Sequence, residues 1–179
     1  MMWQLIKSEK VVDNKWLSVR KEQVILPHGQ VIEDFYSVDI ADCSAIVAID
    51  TEGNVILKRE YKYPPNEELL EIPAGMFEPT ESDSLEVAKR ELLEETGYVS
   101  DEWTFFGPTV ECSSKLTNRM YIYMALNCRK MAGQKLDPTE ELEVVVMPLK
   151  HAVDLVMENK ICCNSSAHAI LKAARILGV

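Results

Sequence analysis

The sequence predicts an α+β chain: a mixed sheet between helices, an α/β/α sandwich, with a small antiparallel β-segment in front of it. Three observations predict this. Apolar runs of strand length recur between residues 16 and 146, helical patterns are few, and the two do not alternate as regular βαβ units would. A chain of 179 residues can bury one sizeable core and carry an accessory segment besides.

The elements follow in order. Residues 16–26 and 30–38 alternate polar and apolar around the turn signal Pro27, His28 and Gly29, which predicts a β-hairpin. That segment holds too little apolar mass to fold alone, so it must pack on the rest of the chain or on a second copy. The expected division is an N-terminal β-domain over 1–40 and a larger domain over 41–179. Residues 44–49 and 55–58 form apolar runs joined by a turn at 50–54, as strands of a central sheet would. A short strand is expected at 68–72, ending at Pro73, and then a loop over 73–82 containing Gly75 and Pro79. Asp83 suits an N-cap and Gly97 the left-handed C′ position of a helix between them. Further strands are predicted at 103–106, 119–127 and 143–146, and helices at 150–158 and 165–177.

Composition narrows the function. The formal net charge is −10, which argues against wrapping a nucleic-acid backbone, where Lys and Arg must neutralise phosphates. No apolar run approaches the roughly 18–20 residues that cross a bilayer, and the first ten residues lack a secretory pattern. A cytoplasmic protein without nucleic-acid or membrane partners is expected. An acidic protein acting on an anion needs local help from a divalent cation or from placed basic side chains. The five cysteines (Cys43, Cys112, Cys128, Cys162, Cys163) show no zinc-ligand spacing and read as ordinary thiols. His28, His151 and His168 offer no pair at ligand spacing.

Within the helix after Asp83, Glu91, Glu94 and Glu95 stand at i, i+3 and i+4, so their carboxylates share one face. Leu85, Ala88 and Leu92 form a separate stripe that can face the core. On spacing alone, a Glu-rich face is more often solvated surface. Its context says otherwise, because a Gly-containing loop precedes the capped helix and a terminating Gly follows the acids. Hard oxygen donors so close together suit magnesium, or manganese, which bind through carboxylates and substrate phosphates.

The stretch from Gly75 to Glu81, followed by Arg90, Glu91, Leu92, Leu93, Glu94, Glu95, Thr96, Gly97 and Tyr98, resembles the Nudix box, G-x5-E-x7-R-E-U-x-E-E-x-G-U with U bulky and apolar. Every fixed position is present, with one extra residue between Glu81 and Arg90. The resemblance extends from Lys15 to the C-terminus and points to the ADP-ribose and nucleotide-sugar pyrophosphatase branch. Its further marks are Arg59-Glu60-Tyr61-Lys62-Tyr63-Pro64 and Glu68-Leu69-Leu70-Glu71-Ile72-Pro73-Ala74-Gly75.

This resemblance implies a Nudix fold and metal-dependent hydrolysis of a diphosphate linkage in ADP-ribose or a related nucleoside diphosphate sugar. The products are a nucleoside monophosphate and a sugar phosphate. It implies metal binding by Glu91, Glu94, Glu95 and the backbone carbonyl of Ala74, with Arg90 orienting the glutamates. The ion lowers the pKa of a bound water, whose hydroxide attacks phosphorus. A general base is expected from the late loop, at Glu140 or Glu141, with Glu94 as the other choice. Candidates for substrate contact are Arg20, Arg59, Lys62 and Glu71, with Trp16 and Tyr36 as aromatic candidates in the hairpin. A β-segment exchanged between two copies, and hence a homodimer, is also implied. The alternatives are a Nudix hydrolase of nucleoside triphosphates or dinucleoside polyphosphates, and a Nudix-fold sensor that binds a nucleotide without turnover.

Overall fold

The structure, a computed structural model, describes residues 2–179; Met1 of the expected N-terminal segment lies outside them. The chain forms two compact units. The smaller takes the residues up to Asp42 together with Val110–Arg119; the larger takes Cys43–Thr109 and Met120–Val179.

The smaller unit is a three-stranded antiparallel sheet, β1 (Gln4–Asp13), β2 (Leu17–Ile25) and β3 (Val31–Ile40), in that spatial order. The expected hairpin is its β2–β3 pair. β1 was not foreseen, because its apolar residues do not alternate. Register shifts fall between Leu5 and Lys7 and between Lys10 and Val12, where an extra residue turns the strand over. All of β1 is exposed, and Leu5, Ile6, Val11 and Val12 stand out in solvent. Segment 110–119 belongs here by direct bonding: the Val38 N–H donates to the Lys115 carbonyl (2.8 Å), and the Thr117 hydroxyl to Asp39 (2.9 Å).

The larger unit has a mixed eight-stranded sheet. Its main path runs β11 (Leu142–Pro148), β5 (Asn54–Lys62), β4 (Cys43–Asp50), β10 (Met120–Lys130), β8 (Tyr98–Val99). β6 (Glu67–Glu71) pairs with β5, β7 (Ala74–Met76) with β4, and β9 (Glu102–Thr109) with β10. β4 and β10 are parallel; the other pairs are antiparallel.

Alternation along the strands sends side chains to two cores. Ala45, Val47, Val55, Leu57, Ile122 and Met124 face α2 (Leu149–Met157) and α3 (Asn164–Leu177), where Ala152, Ile170 and Ala173 are fully buried. Ile46, Ala48, Ile56, Tyr123 and Ala125 face α1 (Ser84–Thr96) through Ala88 and Leu92. Helices therefore cover both faces of the sheet, as the sequence predicts. Among the described residues no helix is long and apolar enough to cross a membrane, and all five cysteines are free thiols.

Candidate active site

α1 starts and stops where its sequence dictates. The Asp83 side chain accepts from the Leu85 N–H (2.9 Å), and Gly97, at φ 75°, closes the helix by donating to the Leu93 carbonyl (2.8 Å). An added Cβ at Gly97 would lie 2.2 Å from the Ala132 carbonyl oxygen, so this end of the helix needs glycine for space as well as for φ. Between those ends, Glu91 and Glu95 turn inward, at 8% and 3% exposure, toward β5 and β7.

Arg90 is the hub of the outer half. Its Nε and one terminal nitrogen form a bidentate pair with Glu81, at 2.8 and 3.0 Å. The other terminal nitrogen donates to Glu91 (2.7 Å) and Glu94 (3.1 Å), and a fifth bond reaches the Met76 carbonyl (3.2 Å). A guanidinium has five N–H donors, so Arg90 is saturated and orients its partners. The extra residue between Glu81 and Arg90 leaves the bidentate pair intact. Arg90 holds the Glu81 carboxyl below the usual carboxylate range.

The inner half is built around Lys58, which the sequence analysis missed. Lys58 is 4% exposed and shares a face of β5 with Glu60 and Lys62. Its ammonium pairs with Glu95 and reaches the Ala74 carbonyl (3.4 Å) and Glu60 (3.4 Å). The second oxygen of Glu95 accepts from the Ala74 N–H (3.0 Å). Burial pushes the Glu95 carboxyl up to about 7 against the pull of Lys58, and burial raises Glu91 against the pull of Arg90. Burial works against the Lys58 ammonium, yet Glu95, with Glu60 and Glu71, holds it above its usual range. One signal for Lys58 was available: a lysine closing an apolar run, in phase with Glu60 and Lys62 at a period of two.

The loop Gly75 is an opening for Glu91. A Cβ there would lie 1.9 Å from the near oxygen of that carboxylate and 2.0 Å from its carbon. β7 thus carries both a carbonyl (Ala74) and a gap that a side chain would fill.

The other predicted residues divide. Lys62 pairs with Glu60 (2.6 Å) and approaches Glu71 (3.7 Å), which puts both at the outer end of the Lys58 row. Arg59 lies on the opposite face of β5 and pairs with Glu143 (3.7 Å). Arg20, in the smaller unit, pairs with Asp39 (3.0 Å) and donates to the Ser37 hydroxyl. Trp16 and Tyr36 are exposed in that unit. Glu140 and Glu141 are exposed on the loop between β10 and β11, where the Glu140 carboxylate accepts from the Asp137 N–H (3.0 Å). That loop is tied to α1 by two residues not foreseen from sequence. The Gln134 amide donates to the Glu95 carbonyl (2.8 Å), and the Lys135 N–H to the Glu94 carbonyl (2.8 Å).

A hard divalent cation fits part of this donor set. Glu91 and Glu94 each give one oxygen to Arg90 and, among the described residues, keep the other clear of protein hydrogen bonds. The Ala74 carbonyl adds a third oxygen. No three acidic, imidazole or thiol side chains converge as a ready-made cage among the described residues, because Arg90 draws Glu91 and Glu94 to one side and Lys58 holds Glu95.

Comparison with known proteins matches both units. A family model described as NUDIX domain matches residues 41–161, and one described as nucleoside diphosphate sugar hydrolase N-terminal domain matches residues 3–38. A Bacillus methanolicus protein named methanol dehydrogenase activator is 28% identical over 167 residues, covering 92% of this chain and 89% of that protein. A Bacillus subtilis (strain 168) protein named ADP-ribose pyrophosphatase is 27% identical over 166 residues, with the same coverage of each. A crystal structure described as that of an ADP compounds hydrolase superposes with a TM-score of 0.84 at 23% identity, covering 99% of this chain and 95% of that one.

Proposed function

The chain belongs to the NUDIX family, and from that membership we propose that it is a pyrophosphatase that hydrolyses the diphosphate linkage of ADP-ribose or a related nucleoside diphosphate sugar with magnesium or manganese. The observation that carries this reading is the Arg90 hub, which holds Glu81, Glu91 and Glu94 in one constellation against the Gly75 gap. The N-terminal family match and the relatives named ADP-ribose pyrophosphatase favour a nucleoside diphosphate sugar over a triphosphate.

In this reading Glu91, Glu94 and the Ala74 carbonyl hold the ion, with Glu95 beside them. An ion held there would shield the charge of the diphosphate and lower the pKa of a bound water. The chain's own residues do the rest. Arg90 fixes the rotamers of Glu91 and Glu94, so no reorganisation is needed when substrate arrives. Lys62, with Glu71 alongside, offers a half-exposed cation to a phosphate or sugar, while Arg20 and Arg59 are further substrate candidates. Glu140 or Glu141 takes the proton of the attacking water, unless Glu94 does so. The exposed apolar residues of β1 leave the smaller unit with a face to bury, and a second copy of the chain is the proposed partner, giving a homodimer.

The test is incubation with magnesium or manganese and a panel of ADP-ribose, nucleotide sugars, dNTPs and dinucleoside polyphosphates, with products separated by anion exchange. AMP and ribose 5-phosphate from ADP-ribose, or the matching pair from another nucleotide sugar, is the expected result. Pyrophosphate from dNTPs alone would overturn it, and binding without cleavage under any divalent ion would mark a sensor. In the active enzyme, Glu94→Gln is expected to slow hydrolysis by about 10²–10⁴-fold.

A further inference from the structure

The Lys58 ammonium occupies a position that the metal reading would give to an ion. It is buried, its three donors face Glu95, the Ala74 carbonyl and Glu60, and two of those partners belong to the predicted metal-ligand set. Both oxygens of Glu95 are already engaged, one by Lys58 and the other by the Ala74 N–H. Glu91 and Glu94 differ, since each has one oxygen bonded only within the Arg90 fork and one turned free of it.

Charge leads to the same place. Glu95, Glu60 and Glu71 act on Lys58 from α1, β5 and β6, and all three are largely shielded from water. Buried carboxylates repel unless a cation lies between them, and a lysine tethered through its strand supplies that cation with no binding entropy to lose. An ion bound through Glu95 would have to displace the ammonium or the Ala74 N–H from that carboxylate.

We propose that Lys58 is a built-in cation that takes the place of one divalent ion at the carboxylate cluster. Glu95 is then committed to Lys58, and the exchangeable metal is carried by Glu91 and Glu94 with the Ala74 carbonyl. Lys58 is thus a positioning residue that sets how many ions the site accepts. The inference rests on the metal-dependent reading above.

The test counts bound Mn²⁺ per chain by electron paramagnetic resonance titration of the full chain without substrate. Lys58→Met frees Glu95 and is expected to raise the count by about one ion. Glu95→Gln in the parent chain is expected to leave the count unchanged, and the double variant to return to the parent value. Lys58→Met with an unchanged or lower count, or Glu95→Gln with one ion fewer, overturns the proposal. Should Lys58→Met fail to fold, the Glu95→Gln count decides alone. The two readings fail differently. No Mn²⁺ on the parent chain overturns the metal reading and this inference with it, whereas Mn²⁺ bound in the same number with and without Lys58 overturns this inference only.

Discussion

At the scale of single residues, the site depends on close approach and on burial. Gly75 is the clearest case of approach, since a methyl group there would occupy the space of the Glu91 carboxylate. Gly75→Ala is therefore expected to turn Glu91 out of place and lower kcat by about 10²-fold, with circular dichroism unchanged. Burial governs the pH response. Glu95 is raised from 4.5 to about 7 in the folded chain. Between those values the folded state keeps a proton that the unfolded state has released, so this carboxyl removes stability as pH rises through the window. In metal-free buffer the melting temperature is expected to fall across that range for the parent, and Glu95→Gln to flatten the slope. A slope equally steep in both would disprove the assignment.

At the scale of elements, α1 was legible and its surroundings were less so. Its N-cap, apolar stripe, acidic face and terminating glycine are all local, and local signals survive in a sequence. Two substitutions rank its ends. Asp83→Ala removes one cap bond and should cost about 1 kcal/mol. Gly97→Ala adds a left-handed residue and a collision with Ala132, so its urea midpoint should fall further than that of Asp83→Ala. β1 escaped the sequence because bulges at Ile6 and Val11 break its alternation, and β7 because three residues carry no period. Lys58 escaped for another reason. Its meaning comes from Glu95, 37 residues away, and only the pairing of β5 with its neighbours makes them meet. Loop tethers such as Gln134 to Glu95 are likewise contacts of the folded chain alone.

At the scale of the whole molecule, the apolar surface of β1 bears on assembly. A three-stranded sheet whose first strand is exposed throughout has few buried residues of its own, among them Ser18, Val24 and Ser37. If the chain forms the homodimer proposed above through β1, replacing Ile6 and Val11 by Lys is expected to give monomers in sedimentation velocity where the parent gives dimers; a parent that sediments as a monomer would overturn the proposed dimer, and a variant dimer would locate the interface elsewhere. The parallel pairing of β4 with β10 has a consequence in time. Cys43 lies against Met120, a separation of 77 residues, and α1 packs on β4 in between. Such a pair closes late, because the intervening loop must be ordered first. As the chain leaves the ribosome, every glutamate of the cluster is therefore made before the strand that completes its platform. The nascent acidic helix waits on a half-built sheet, and that interval is when the newborn chain is most exposed to misassociation.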